Sequence, residues 1–250
     1  GQSSEANKGE AKSIHDLTVS KEEDLEKYLF FDKYQRVSLV DHFLKKEETL
    51  DAFRMSAYEE LGDFIDRPYE RKSEVRSQKL EDVRFLLSRE GKVKDRSILV
   101  EKKITVKDNT VDVKYHVENL ETKSPQPPFE KGGTRGDLRF GVEFNLILPC
   151  CDGPDGFYDV RGKDIRNKGL GSAGEIAGIR QISMVDKLTK MRVSFSFDKD
   201  TSFWRFPIET VSLSEAGFEK IFQGSCLLFF WDISIDKTFE TGFKIKIESI

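Results

Sequence analysis

Apolar and polar residues alternate with a period of two over several stretches of this chain. Val111, Val113, Tyr115 and Val117 are interleaved with Asp112, Lys114 and His116. Phe140, Val142, Phe144, Leu146 and Leu148 form a second run, and Val193, Phe195 and Phe197 alternate with serines. Near the end, Phe239, Phe243, Ile245 and Ile247 alternate with Glu240, Lys244, Lys246 and Glu248. Successive strand side chains point to opposite faces, so this pattern predicts strands with one face in a core and one in water. From Ser225 to Ile235 the apolar positions are instead consecutive, which predicts a central strand covered on both faces. Turn signals fall at Glu90-Gly91, at Asp108-Asn109 and through the Pro/Gly-rich stretch Ser124 to Gly136. Long striped helices are missing; Ser20 and Glu23 have capping-box spacing for one short charged turn through Lys27. The expected fold is all-β, a large, mostly antiparallel β-sandwich forming one domain.

The domain is expected over residues 13–250, behind a mobile leader or linker remnant, Gly1 to Lys12, of small, polar and charged residues. The first residue is Gly1 rather than Met, expected of processing, a cloning remnant or a piece of a longer protein.

Composition narrows the function classes. The chain has 41 basic and 45 acidic side chains, a formal charge of −4, so no basic excess exists to displace counterions from a nucleic acid. No run of eighteen apolar residues occurs, so no helical membrane span is expected. The 20 Phe, 6 Tyr and 2 Trp supply a large core. Three cysteines (Cys150, Cys151, Cys226) form no disulfide or metal framework, which fits a cytoplasmic protein, with Cys226 packed in the core. Asn and Gln together number only eleven, a skew seen in heat-adapted proteins.

Individual motifs carry little chemistry. Gly169, Gly171 and Gly174 spell G-x-G-x-x-G, but the residues before it are polar and Gly178 interrupts the segment after it. A dinucleotide site needs a buried strand before the glycines and a helix after them, so a loop without cofactor is expected. Arg135-Gly136-Asp137 is read as coincidence. Asp152, Asp155 and Asp159 crowd one loop that could offer oxygens to calcium, yet they lack EF-hand spacing, and no metal is assigned. His42, beside Asp41, and His116 are the histidines of interest, and no Ser-His-Asp spacing accompanies them. Glu143 and Glu209 interrupt apolar strands and need partners, the ordinary reading being a structural ion pair. Trp231 is expected in the core, whereas Trp204, flanked by Arg205, is the candidate for an exposed stacking platform.

Two longer stretches go further. Tyr28 to Leu44 (YLFFDKYQRVSLVDHFL) and Trp204 to Ser225 (WRFPIETVSLSEAGFEKIFQGS), with Leu61–Ile65 and Gly141–Leu146 in order between them, resemble the C-terminal β-sandwich region of glycoside hydrolase family 57. That family comprises α-amylases and 4-α-glucanotransferases acting on α-1,4-glucans. The resemblance runs from about Ser13 to Ile250; Cys150-Cys151 and Phe229-Phe230 depart from it. It implies a galactose mutarotase-like supersandwich that packs against a catalytic barrel of the same enzyme. The catalytic carboxylates of the family lie in that barrel, so no residue here inherits a catalytic role and no cofactor is implied. Trp204, Arg205, Glu209 and His42 are the candidate carbohydrate contacts, with α-1,4-glucan as the implied ligand. An apolar patch left exposed without the barrel is expected to favour a homo-oligomer. A free-standing carbohydrate-binding module is the alternative, followed by a mutarotase-like epimerase using His116 and Glu209.

Overall fold

The computed structural model describes residues 32–77, 82–123, 138–150, 154–214 and 217–250. The leader, the Ser20/Glu23 cap, the Ser124 to Gly136 stretch, Arg135-Gly136-Asp137, Cys151 and Asp152 lie outside them. Among the described residues, eleven strands run in chain order: β1 (Val40–Lys45), β2 (Glu70–Ser77), β3 (Asp82–Val93), β4 (Arg96–Lys107), β5 (Thr110–Asn119), β6 (Leu138–Leu146), β7 (Gly156–Val160), β8 (Gly174–Asp186), β9 (Met191–Ser214), β10 (Gly217–Ile233) and β11 (Phe239–Ser249). One α-helix of five residues, α1 (Leu50–Arg54), follows β1, and Thr49 Oγ1 caps it by accepting from Ala52 N at 3.2 Å. No helix among the described residues is long and apolar enough to cross a membrane.

All strand pairs are antiparallel, in the order β1-β6-β10-β9-β11-β5-β4-β3-β2, with β8 on β9 and β7 on β8. The sheet is folded on itself. Tyr115 of β5 and Phe140 of β6 are four strand positions apart, yet their ring centroids lie 5.5 Å from each other. In a flat sheet, four spacings would put them roughly 19 Å apart. The fold turns on β9, whose residues 191–197 pair with β11 and whose residues 202–214 pair with β10. One core fills the interior, with Phe43, Val100, Val113, Phe144, Phe195, Phe229 and Phe243 facing inward from seven strands. The expected all-β antiparallel architecture is present.

A second, smaller core lies on the outer face of β1, β6, β10 and β9. There Tyr34, Phe53 and Tyr58 cover Trp204, Phe206, Cys226, Leu228 and Phe230. It explains why consecutive residues of β10 are apolar: Leu227, Phe229 and Trp231 enter the main core, while Cys226, Leu228 and Phe230 enter the second. It also corrects the reading of β6 as half-solvated, since Gly141 and Glu143 on its outer face are buried as well. On β5 the alternation holds, with Val113, Tyr115 and Val117 buried. On β11 it fades towards the end, where Ile247 is exposed.

The Glu90-Gly91 turn signal is also corrected. β3 runs straight through both residues, and the hairpin closes after Val93, where Lys94 adopts φ 53°. Gly91 serves close approach instead: a Cβ there would fall 2.3 Å from Asp63 Oδ1 and 2.8 Å from Phe64 Cζ. Gly91→Ala is therefore expected to cost about 1–3 kcal/mol by displacing that loop. Urea denaturation measures it, and an unchanged midpoint would show that the loop yields freely. Asp108-Asn109 does turn the chain, between β4 and β5.

Candidate functional site

β1 places Asp41 and His42 on opposite faces, both fully buried, and a charged network surrounds each. On the outer side the His42 ring lies 2.9 Å from Glu143 Oε2 through Nε2 and 3.0 Å from Glu60 Oε2 through Nδ1. Glu143 also accepts from the Tyr34 hydroxyl, from Asn145 Nδ2 at 2.7 Å and from Arg36 Nη1 at 3.2 Å. Glu60 Oε1 accepts from the backbone N–H of Phe43 at 2.7 Å. Arg36 Nε also donates to Asp32 Oδ1 at 2.8 Å, so two cations, His42 and Arg36, face three carboxylates, Glu143, Glu60 and Asp32. Burial alone would lower the pKa of His42, but its bonds to Glu143 and Glu60 outweigh that and push it up to about 9. Burial would raise Glu143, yet the His42 bond and charge, with Arg36 and Tyr34, hold it down at about 2. Burial raises the thiol pKa of Cys226 beside them, consistent with its expected packing role.

On the inner side Lys102 Nζ sits 2.7 Å from Asp41 Oδ2, and the hydroxyls of Tyr69 and Tyr115 donate to the same carboxylate. Lys102 also donates to Leu39 O at 2.8 Å. Both networks are closed. They brace the segment from residue 32 to Tyr69 against the sheet, so the structural reading of Glu143 holds, and His42 is an anchor rather than a surface contact.

An open groove of about 710 Å³ lies at the edge of the second core. Glu48 and Asp51 come from the α1 region, Arg139 from β6, Glu175 from β8, Trp204 from β9, and Phe230 and Asp232 from β10. Arg139 is fixed by Lys46 O at 2.8 Å, Glu48 O at 3.1 Å and Asp232 Oδ1 at 3.4 Å. Its guanidinium lies over the rings of Phe230 (4.1 Å) and Trp204 (4.9 Å). The expected exposed platform at Trp204 is thereby corrected. Only 2% of Trp204 is exposed, Arg139 roofs it, and its indole N–H donates to Glu175 Oε2 at 3.0 Å. The groove offers four carboxylates and one guanidinium held in place, which is chemistry for hydroxyl groups rather than for stacking.

The other expected contacts do not converge on the groove. Arg205 faces the opposite way, buried, donating to Ser172 Oγ at 2.7 Å and to the carbonyls of Asn167 (3.0 Å) and Arg166 (3.3 Å). Glu209 is half-buried farther along β9, 3.9 Å from Lys220. His116 of β5 contacts Glu240 at 3.2 Å. Glu240 precedes Phe243, which pairs with Phe197, so on the order of 30 Å of β9 separates His116 from Glu209. The acid–base pair of the epimerase alternative is not assembled.

The G-x-G-x-x-G segment is a loop leading into β8 rather than into a helix, as expected. Asp155 and Asp159 face Lys187 and Arg192, each at 3.8 Å, and no three His, Cys, Asp or Glu among the described residues are grouped to hold a metal ion. The alternation of β6 could have flagged Arg139, a charge inside an apolar strand, whereas Glu48, Glu175 and Glu60 carry no local signal. Their roles come from distant contacts.

Fold and groove together define an all-β antiparallel domain with a polar, open face on its smaller core. The chain belongs to the family described as Alpha-amylase/4-alpha-glucanotransferase, C-terminal, whose model matches residues 1–245. That family is the glycoside hydrolase family 57 group expected from the two long stretches. The chain is 30% identical over 236 residues to a 4-alpha-glucanotransferase of Thermococcus litoralis, covering 93% of this chain and 30% of that protein. It is 30% identical over 212 residues to an alpha-amylase of Pyrococcus abyssi, covering 85% of this chain and 26% of the relative. The crystal structure of the T. litoralis 4-alpha-glucanotransferase superposes with a TM-score of 0.66 at 28% identity, over 94% of this chain and 30% of that one. The chain thus spans less than a third of these relatives. A galactose mutarotase related enzyme from Lactobacillus acidophilus gives a TM-score of 0.41 at 12% identity, over 74% of this chain and 72% of that one.

Proposed function

We propose that this domain is the non-catalytic C-terminal part of an α-1,4-glucan-processing enzyme, packing against the catalytic barrel and contacting glucan through the groove. The observation that carries the reading is the family match over nearly the whole chain, at less than a third of the relatives' length. The groove supports it chemically. Sugar hydroxyls donate well to carboxylates, and Glu48, Asp51, Glu175 and Asp232 line the groove together with Arg139. The side chains of His42, Glu143, Asp41 and Lys102 are buried and bonded to one another, the arrangement of structural ion pairs.

One incubation tests both halves. With maltohexaose the chain alone is expected to bind saturably in calorimetry and to leave the oligosaccharide intact by chromatography. Asp232→Asn with Glu175→Gln should weaken binding by about tenfold. Shorter or longer glucans among the products would overturn the non-catalytic assignment, and unchanged affinity in the double variant would remove the groove from it.

A further inference from the structure

A second cavity of about 380 Å³ adjoins the groove, and Gly174, Glu175 and Ile176 line both. Its remaining walls carry Lys163, Arg166 and Arg205. None of these three cations has a carboxylate within ion-pair distance among the described residues. Arg205 is the unusual one. Only 2% exposed, it lies over the Tyr158 ring at 4.8 Å and gives its Nη hydrogens to Ser172, Asn167 and Arg166, so its partners are all neutral, and its buried Nε has no acceptor among the described residues. A buried guanidinium with no counter-charge is unfavourable unless something negative lies close by. Burial accordingly pulls its pKa down.

The loop is shaped around it. A Cβ at Gly174 would come within 3.0 Å of Arg205 Nη2, so the third glycine of the G-x-G-x-x-G segment makes room for the guanidinium. Above it, Lys163 and Arg166 are exposed, and Lys163 Nζ donates only to the carbonyl of Ala177. The carboxylates on the same wall are engaged elsewhere: Asp164 pairs with Lys168 at 2.7 Å, and Glu175 holds the Trp204 indole.

We propose that this cavity binds the phosphate ester of a sugar. The phosphate lies against Lys163 and Arg166 over the buried Arg205 charge, and the sugar hydroxyls reach Glu175 and the groove. The sugar half rests on the glucan reading above; the phosphate half does not. The anion supplies the missing counter-charge, and Glu175, which lines both cavities, is the hydroxyl acceptor nearest to it along β8.

Calorimetric titrations of the full chain with glucose 6-phosphate, glucose, inorganic phosphate and maltohexaose test this. Glucose 6-phosphate should bind at least about tenfold more tightly than glucose or phosphate, and more weakly as salt rises. The Lys163→Ala/Arg166→Ala variant should lose about tenfold or more of that affinity while keeping its thermal midpoint, and Lys163→Arg/Arg166→Lys should retain it. Equal affinity in the alanine variant, or no heat at millimolar glucose 6-phosphate, overturns the proposal. Phosphate binding as tightly as the ester overturns its sugar half. Maltohexaose binding without glucose 6-phosphate binding defeats this proposal and leaves the glucan reading standing; binding of neither ligand defeats both.

Discussion

Glu143→Leu is expected to lower unfolding free energy by about 3–5 kcal/mol, because it removes the buried carboxylate shared by His42, Arg36 and the Tyr34 hydroxyl, leaving His42 with Glu60 and Arg36 with Asp32. Glu143 is completely buried and each of its oxygens serves at least one of those groups. A leucine returns some apolar contact but satisfies none of them. Glu143→Gln keeps the shape and one acceptor oxygen while removing the charge, so its loss should fall between wild type and the leucine variant. Urea denaturation of the three proteins measures the order. A leucine variant within about 1 kcal/mol of wild type would mean that water or rearrangement rescues those groups, and the brace assigned to this network would be wrong.

The second large effect is on pH dependence. His42 ionises near 6.5 when unfolded and is pushed up to about 9 in the folded chain. A pKa raised by folding contributes stability in full below the unfolded value, and that contribution disappears as pH rises through the folded one. Between these two values the His42 contribution should fall by about 3 kcal/mol. Glu143 works in the opposite window: held at about 2 against an ordinary 4.5, it stabilises above 4.5 and loses that effect as pH falls through 2. Stability from this pair is thus greatest between 4.5 and 6.5. Other groups titrate too, so the useful quantity is the difference in unfolding free energy between wild type and His42→Gln. It should shrink by about 3 kcal/mol from below pH 6.5 to above pH 9. A difference that stays constant across the window would show that His42 is neutral throughout.

Legibility from the sequence tracked the range of the interactions. Period-two runs on β5 and the start of β9 were readable because a strand's own pattern records which face is wet. The consecutive apolar residues of β10 showed two covered faces for the same reason. What covers the outer face, the Tyr34, Phe53 and Tyr58 layer, is far away in the chain, so the outer residues of β6 look solvated on local grounds. Gly91 resembles a turn residue until the Asp63-Phe64 loop is placed above it. Trp204 followed by Arg205 looks like an exposed pair, but strand geometry sends the two side chains to opposite faces and each is enclosed by separate partners. Glu143 was legible as a charge in need of a partner; the identities of Arg36, Tyr34 and Glu60 were not. The family was legible from long stretches because they record all of these contacts at once.

β9 also bears on how the molecule comes apart. Its 24 residues form one unbroken strand that is hydrogen-bonded to β11 in one layer and to β10 in the other. Neither layer can therefore be peeled away without breaking bonds along the same backbone, and a cut or insertion near residues 198–201 would divide the strand where the sheet folds over. Two-layer folds joined only by loops can open like a book; this one has its spine threaded through both covers. Its layers should be lost together, as one cooperative unit.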